Sequence, residues 1–439
     1  MKEGTTMNQS NAVVDNNPVV DNIIRFLQSD QNSNMECFYS RIRDRNRNRF
    51  FDETIMVYED NMFDSFFPAV SIVILTANKI ECDSLNYVAN SQPDSNLIKR
   101  RNPVPVFENS YLCAPTAYMF KFGSYYVLHL CAYETGSNTP GGSTDIVRLV
   151  SNNKYLHPSC IISFGICYGR DPQKQHIGDV LIPSKLYPWS IGQKITDNKL
   201  TIKHDNFNLW LEDKFSPNKL YTFIRNFCNG TDGKIFSTRI PALSNSCYET
   251  EMETKVVLCN MSTGEAVVSS ADAKEKIREA NRNEEELGGE MEGYGIAKEC
   301  IYYAKIPCII LKAICDWGDQ KNIEEVLSQL GCSFPSHLKD RLQAYAAFSA
   351  AFILFKMLGM DNGDIFRPGI IDYLITKHIC THDHSCSIND LLKGIKKYLG
   401  DARKETNIAI LDTLNSLEII QRSYVHDRYT ISKGNNSNE

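Results

Sequence analysis

The chain predicts an α/β domain, and three stretches carry that reading. Val70–Thr76 is an apolar, β-branched run followed at once by a helical pattern. Residues 160–189 read as a strand, a glycine-containing turn and a second strand introduced by Gly178 and Asp179. Residues 294–304 place small and apolar side chains at helical spacing, Pro307 closes the connection, and 308–314 is a short apolar run of buried-strand type. In open α/β sheets ligands gather at the carboxyl ends of strands, and Asp316 follows the last of these strands directly.

Acidic residues mark the corners of these elements. Glu81 lies just past the first strand, and Glu290 and Glu292 stand immediately before the helix at 294–304. A carboxylate at such a place accepts hydrogen bonds from free backbone amides or from ligand hydroxyls. Taken singly, these acids read equally well as helix caps or solvated turns, and Gly165 and Gly169 as the glycines of a tight turn. The run Ser262 to Val268 reads as strand, upstream of the acidic corner.

Composition narrows the class. At 439 residues with 42% hydrophobic content the chain has room for two or three domains with real cores. A net charge of −6 gives no reason to expect general nucleic-acid affinity. Many of the 15 cysteines, such as Cys131, Cys160, Cys167, Cys300 and Cys308, sit in apolar runs, and no signal-peptide pattern opens the chain. Reduced core thiols and a cytoplasmic location are the expectation. No run is read as long enough to cross a membrane.

The two ends differ from the middle. Residues 1–17 are rich in Asn, Asp, Thr and Ser and are expected to lack structure, ahead of a short helix at 18–28. Residues 41–49 carry Arg at every second position, so an extended backbone would put five guanidinium groups on one face. Pairing with acids elsewhere is favoured over phosphate binding, and the segment reads as an interaction or regulatory element. After a long helix at 342–358 and a linker, helices are expected at 368–376, 387–399 with Ser387 as N-cap, and 405–417, then a hairpin at 422–432. Three helices and a hairpin resemble a winged helix, a domain that often reads DNA with its third helix. From Asp364 onward ten basic residues meet ten acidic ones, so a protein partner is favoured over DNA. His378, Cys380, His382, His384 and Cys386 alternate, but their spacing is not that of a zinc finger, and a solvated loop is the better reading.

The segment GGEMEGYGIAKECIYYAKIPCIILKAICDWGDQ, residues 288–320, resembles the signature of the nucleoside phosphorylase and nucleosidase superfamily, most closely its methylthioadenosine/S-adenosylhomocysteine nucleosidase branch. The resemblance runs over residues 68–360 with motifs in the expected order. It implies a central mixed twisted sheet flanked by helices at 67–360, preceded by an extension at 1–66 and followed by the winged-helix-like tail at 361–439. It implies a dimer, a purine nucleoside or nucleotide as ligand, and neither cofactor nor metal.

Carried over residue by residue, the resemblance makes Glu292 the holder of the ribose hydroxyls and Met291 its apolar platform, with Glu290 beside them. Asp316, with a pKa raised by burial, would protonate purine N7, and Glu81 would orient and activate water. Gly165 and Cys167 would line the base at the glycine loop, and Val267 and Val268 would lie over it. Lys312 and Cys315 stand where the family usually has Arg and Ser, which leaves the 5′ substituent and the base open. Ile166 replaces the Ser that serves phosphate in phosphorylases, and a carboxylate at Glu81 would repel phosphate. Hydrolysis is therefore expected over phosphorolysis, with a phosphate-dependent phosphorylase and a catalytically silent nucleotide sensor as the alternatives. For a phosphorylated substrate, Arg170, Lys174 and the run Lys99, Arg100, Arg101 are the candidate cations. The added segments resemble those of multidomain superfamily members that act as effectors in bacterial defence.

Overall fold

In the computed structural model the described residues are 18–31, 55–93, 95–104, 114–132, 142–189, 193–196, 199–202, 207–208, 217–240, 250–264, 268, 270–280, 286–318, 324, 327–328, 337–361, 365–367, 370, 374, 386–399, 406–411, 420–423 and 428–431. The arginine-rich run at 41–49 and the His/Cys alternation, Cys386 excepted, lie outside them. So do Val267 and most of the helix expected at 368–376.

The first half of the chain contains helix α1 (Pro18–Gln31), strands β1 (Met56–Tyr58) and β2 (Val70–Thr76), helix α2 (Lys79–Asn90), then β3 (Ile98–Arg100), β4 (Thr116–Phe122) and β5 (Tyr125–Cys131). Helix α3 (Ser143–Asn152) leads to β6 (Cys160–Gly169) and β7 (Val180–Pro188). A separate hairpin, β8 (Gln193–Thr196) and β9 (Lys199–Ile202), is followed by β10 (Phe207–Asn208), helix α4 (Pro217–Cys228), β11 (Lys234–Ile240) and β12 (Thr250–Thr263). Helix α5 (Ala271–Ala280), β13 (Gly288–Glu290), helix α6 (Gly293–Lys298), β14 (Cys308–Asp316) and helix α7 (Leu338–Gly359) complete the α/β part. Beyond it lie β15 (Cys386–Ser387), helix α8 (Ile388–Leu399), β16 (Ile420–Ser423) and β17 (Arg428–Ile431).

All seven side chains of β2 are buried, as expected of a β-branched run covered on both faces. It pairs in parallel with β5 and with β6, and β6 pairs in parallel with β14. The carboxyl ends of β2, β6 and β14 therefore point the same way, and the segments that follow them share one end of the sheet.

The sheet is mixed, as expected, but part of it also closes on itself. Strand β6 is bonded to β14 and to β13, β13 to β12, β12 to β7, and β7 back to β14. Closure brings β13 so near the end of β6 that a Cβ on Gly288 would sit 2.4 Å from the Tyr168 carbonyl oxygen. On Gly289 it would sit 2.3 Å from the Tyr168 hydroxyl, so both glycines are required by the approach of two strands.

Helix α7 is long and apolar enough to cross a membrane by length and composition, contrary to the reading that no run reaches that size. It is a core helix, with Phe348, Ile353, Leu354 and Met357 fully buried, and it packs on α2 and β14. The expected helix at 294–304 is α6 followed by a π-helical turn, Glu299–Ala304, closed by Lys305 in the left-handed conformation (φ 57°).

Both ends of the chain lean on this domain. Val19, Val20, Ile23 and Phe26 of α1 are buried, Phe26 meets Tyr345 edge-on at 5.1 Å, and the Asn22 amide donates to the Pro172 carbonyl at 2.5 Å. In the tail, Thr406 donates to the Ser65 carbonyl, and Phe366 packs edge-on against Tyr125 and Phe223. Strands β15, β17 and β16 form a small antiparallel sheet in that order, and α8 begins directly after β15.

Candidate active site

A cavity of about 240 Å³ opens at the shared carboxyl ends of β2, β6 and β14. Its lining includes Glu81, Cys167, Val268, Glu290, Met291, Glu292, Cys315 and Asp316, so most of the residues singled out in the sequence meet in one place.

Glu81 belongs to the first turn of α2. Asn78 caps that helix, its side-chain oxygen accepting from the Glu81 N–H at 3.0 Å, and Glu81 returns the bond to the Asn78 N–H at 3.3 Å. The same carboxylate accepts from the Ala77 N–H at 2.9 Å through Oε2 and from the Ile166 N–H at 3.0 Å through Oε1. A surface position, the bland reading of a helix-start glutamate, is excluded, because Glu81 is only 2% exposed. A carboxylate offers about four acceptor directions, and three are taken here, which leaves one on Oε1.

Gly165 explains how the carboxylate fits. A Cβ at Gly165 would stand 2.2 Å from Glu81 Oε1, so the space vacated by the missing side chain is filled by Glu81. Gly169 likewise faces Gln175 and Ile314 and pairs with Gly288 in the strand ladder. The missing side chains at Gly165 and Gly169 thus make room for the Glu81 carboxylate and for the closure of strands.

Glu290 is the last residue of β13, and it spends its carboxylate on the chain itself. It accepts from the Glu292 N–H at 2.9 Å and from the Gly293 N–H at 2.8 Å, anchoring the entry to α6. Glu292 is freer. Its Oε2 accepts from the Lys312 ammonium at 3.0 Å, while its side chain lines the cavity. Lys312 is 1% exposed and is not among the lining residues, so its part is to hold Glu292 from below rather than to touch a ligand. Glu290 lies 3.8 Å from the same ammonium.

Burial sets the electrostatics of this group. It pushes the Glu81 carboxyl above the ordinary value, with the Glu292 charge adding to the rise and Lys312 opposing it. Glu290 is raised for the same reasons. Burial alone would lower Lys312, but the charges of Glu292, Glu81 and Glu290 outweigh it, and the ammonium is held protonated. One buried cation thus faces three carboxyl groups, an arrangement that keeps a proton available.

Asp316 ends β14. Its Oδ1 accepts from the Gly318 N–H at 2.8 Å, and the Cys315 thiol lies 3.6 Å from Oδ2. Burial holds the Cys315 thiol well above its usual range, so it stays a neutral donor toward the carboxylate.

Ile166, already noted in the sequence, also lines the cavity, as do Asn78, Tyr168, Gly289, Lys339 and Gln343, which escaped the sequence reading. Asn78 could have been found as the N-cap three residues before Glu81. Lys339 and Gln343 lie on α7, whose order in the chain gives no hint that its first turns reach the strand ends. None of the cations proposed for phosphate lines the cavity. Arg170 bonds Glu286 at 2.6 Å, Lys174 pairs with Asp171 at 3.3 Å, Arg100 bonds both oxygens of Asp64, and Arg101 pairs with Glu59 at 2.6 Å. Among the described residues no group of His, Cys, Asp and Glu is arranged to hold a metal ion.

No protein-family model matches the chain. A sequence match is found with a death domain-containing ATP nucleosidase of Amphimedon queenslandica, 29% identical over 223 residues, covering 47% of this chain and 37% of that protein. The chain thus spans little more than a third of that relative's length. Among solved structures, the 5′-methylthioadenosine/S-adenosyl homocysteine nucleosidase of Helicobacter pylori aligns with a TM-score of 0.44 at 14% identity, over 66% of this chain and 98% of its own. The futalosine hydrolase of the same organism aligns with a TM-score of 0.43 at 13% identity, over 66% and 98%. Over about half of its length the chain is thus similar to a nucleosidase.

Proposed function

We propose that this cavity hydrolyses the N-glycosidic bond of a purine nucleoside or nucleotide and releases the free base. The observation that carries the reading is the convergence of Glu81, Glu292 and Asp316 on a single cavity. Asp316 donates a proton to purine N7, and the bonding pair between C1′ and N9 leaves with the base. The sugar then develops oxocarbenium character, which the Glu292 carboxylate stabilises from the ribose side, with Met291 packed on the sugar. Water adds to C1′ and gives its proton to Glu81, whose remaining acceptor direction on Oε1 is the one that can take it. Each acid contributes about 10²-fold or more. Burial suits Glu81 to this role, because a base whose pKa is lifted toward the working pH takes a proton more readily.

Hydrolysis is favoured over phosphorolysis by the same residue. Glu81 puts a carboxylate where the attacking group must stand, and the Ile166 N–H that could have met a phosphate oxygen is bonded to that carboxylate at 3.0 Å. The domain assignment accompanies this reading: residues 1–66 as an extension whose helix is seated on the core, 67–360 as the catalytic unit, and 361–439 as a winged-helix-like unit suited to a protein partner. A dimeric state and an effector role in defence belong to the same proposal and rest on resemblance.

Chromatography of purified protein incubated with methylthioadenosine, S-adenosylhomocysteine, adenosine, inosine, AMP and ATP, with and without phosphate, tests the reaction. Base release without phosphate is the expected result. Strict dependence on phosphate overturns the role of Glu81, and release from none of the six overturns hydrolysis and leaves a nucleotide-binding sensor.

A further inference from the structure

The cavity has two chemically different sides. Glu81, Glu290, Glu292 and Asp316 line one with carboxyl groups, whereas Lys339 and Gln343 of α7 bring one ammonium and one amide to the other. Lys339 is the sole cation among the described lining residues, because Lys312 lies beneath the surface of the cavity. Lys339 and Gln343 are four residues apart, so they project from the same face of the helix one turn after the other.

Neither side chain is used by the fold. Lys339 is exposed and Gln343 half-buried, and among the described residues neither has an ion-pair or hydrogen-bond partner. Lys339 also sits in the first turn of its helix, where a cation opposes the helix dipole. Helix stability therefore gives no reason for it, and an anion in the cavity does.

We propose, resting on the nucleosidase reading above, that the substrate is a nucleoside 5′-phosphate and that Lys339 and Gln343 bind its phosphate group. With Asp316 assigned to the base and Glu292 to the ribose hydroxyls, the 5′ substituent is the part of the ligand left to meet α7. A bare nucleoside would find there an unpaired ammonium that it cannot satisfy. A phosphate oxygen accepts from both the ammonium and the amide, and charge-assisted bonds of this kind are the stronger ones. Lys339 and Gln343 thus determine specificity, while the bond-breaking groups stay those already named. This assignment also replaces the cations suggested by the sequence, none of which lines the cavity.

The test compares adenosine, AMP and ATP with the full-length chain and its Lys339→Glu and Gln343→Ala variants. Base release by the unaltered protein should have a lower KM for AMP or ATP than for adenosine. Lys339→Glu should raise the nucleotide KM about tenfold or more and change the adenosine KM far less, with Gln343→Ala having a smaller effect in the same direction. A nucleotide KM unmoved by Lys339→Glu, or adenosine affected equally, overturns the proposal. Equilibrium binding of AMP and adenosine to the same proteins separates this failure from failure of the hydrolysis reading. If no base is released but AMP binds more tightly than adenosine and Lys339→Glu abolishes the difference, the phosphate site stands and hydrolysis falls. Equal binding of AMP and adenosine overturns the phosphate site whatever the kinetics show.

Discussion

Two buried polar groups flank the carboxyl end of β2, and they are built on opposite principles. At Thr76 the hydroxyl meets His129 Nε2 at 2.9 Å while His129 Nδ1 meets the Asn86 side-chain oxygen at 2.8 Å. Asn86 Oδ1 only accepts, so Nδ1 carries the hydrogen and Nε2 accepts from Thr76. Burial lowers the His129 pKa to about 3, so the imidazole is neutral and every member of the trio is satisfied. A few residues further on, Glu81, Glu290, Glu292 and Lys312 keep ionisable groups in excess of what they can neutralise. A neutral network joins strands and helix at little electrostatic cost, whereas in an acidic one burial and like charge raise the carboxyl pKa values.

The largest effect expected from breaking this contrast is at Lys312. Lys312→Met removes the one buried cation beneath three carboxyl groups and should cost about 3–5 kcal/mol in urea denaturation at neutral pH. The penalty should shrink toward about pH 5, because the carboxyl groups take up protons more readily once the ammonium is gone. It should also move the acid limb of the pH–rate profile upward, since Lys312 opposes the rise that burial imposes on the Glu81 pKa. A penalty that does not change with pH would place Lys312 among ordinary packing residues.

Next come the acids themselves. Asp316→Asn and Glu81→Gln should each lower base release about 10²-fold or more, with far smaller losses of stability than Lys312→Met. Base release that survives Asp316→Asn would remove Asp316 from the mechanism. Gly165→Ala sharpens the link between backbone and acid: a Cβ 2.2 Å from Glu81 Oε1 must displace the carboxylate, lowering activity and costing about 1–3 kcal/mol. Unchanged activity in that variant would show that the position of Glu81 is not critical.

The smallest effect is expected in the neutral network. Thr76→Val should cost about 1 kcal/mol by leaving His129 Nε2 without its donor. The pH dependence from His129 has a definite sign. Its folded pKa, about 3, lies below the unfolded value of 6.5, so its contribution to stability is complete above 6.5 and is lost as pH falls toward 3. The slope from this residue approaches about 1.4 kcal/mol per pH unit and should persist in Thr76→Val, because burial sets it. A Thr76→Val protein whose stability no longer depends on pH in that window would assign the shift to the hydroxyl instead.

Much of the site was legible because its parts are local. Glu81 five residues beyond the end of β2, the acids before α6 and Asp316 at the end of β14 each follow from an element boundary read in the residues. The order of these boundaries also gave the α/β class. What the residues could not give was the use of Gly165, since a glycine is silent about which side chain fills its space. Nor could they show that Lys312, 20 residues beyond Glu292 in the chain, returns beneath it.

By itself, then, the sequence determined the strands and helices and the acids at their ends, because hydrophobic period and capping chemistry act over a few residues. Tertiary structure decided the closure of β6, β14, β7, β12 and β13 into a ring, the burial of α7 and the arrival of Lys339 and Gln343 at the cavity. Those depend on contacts between segments far apart in the chain, and pairing over such distances is set by shape and burial rather than by any local pattern.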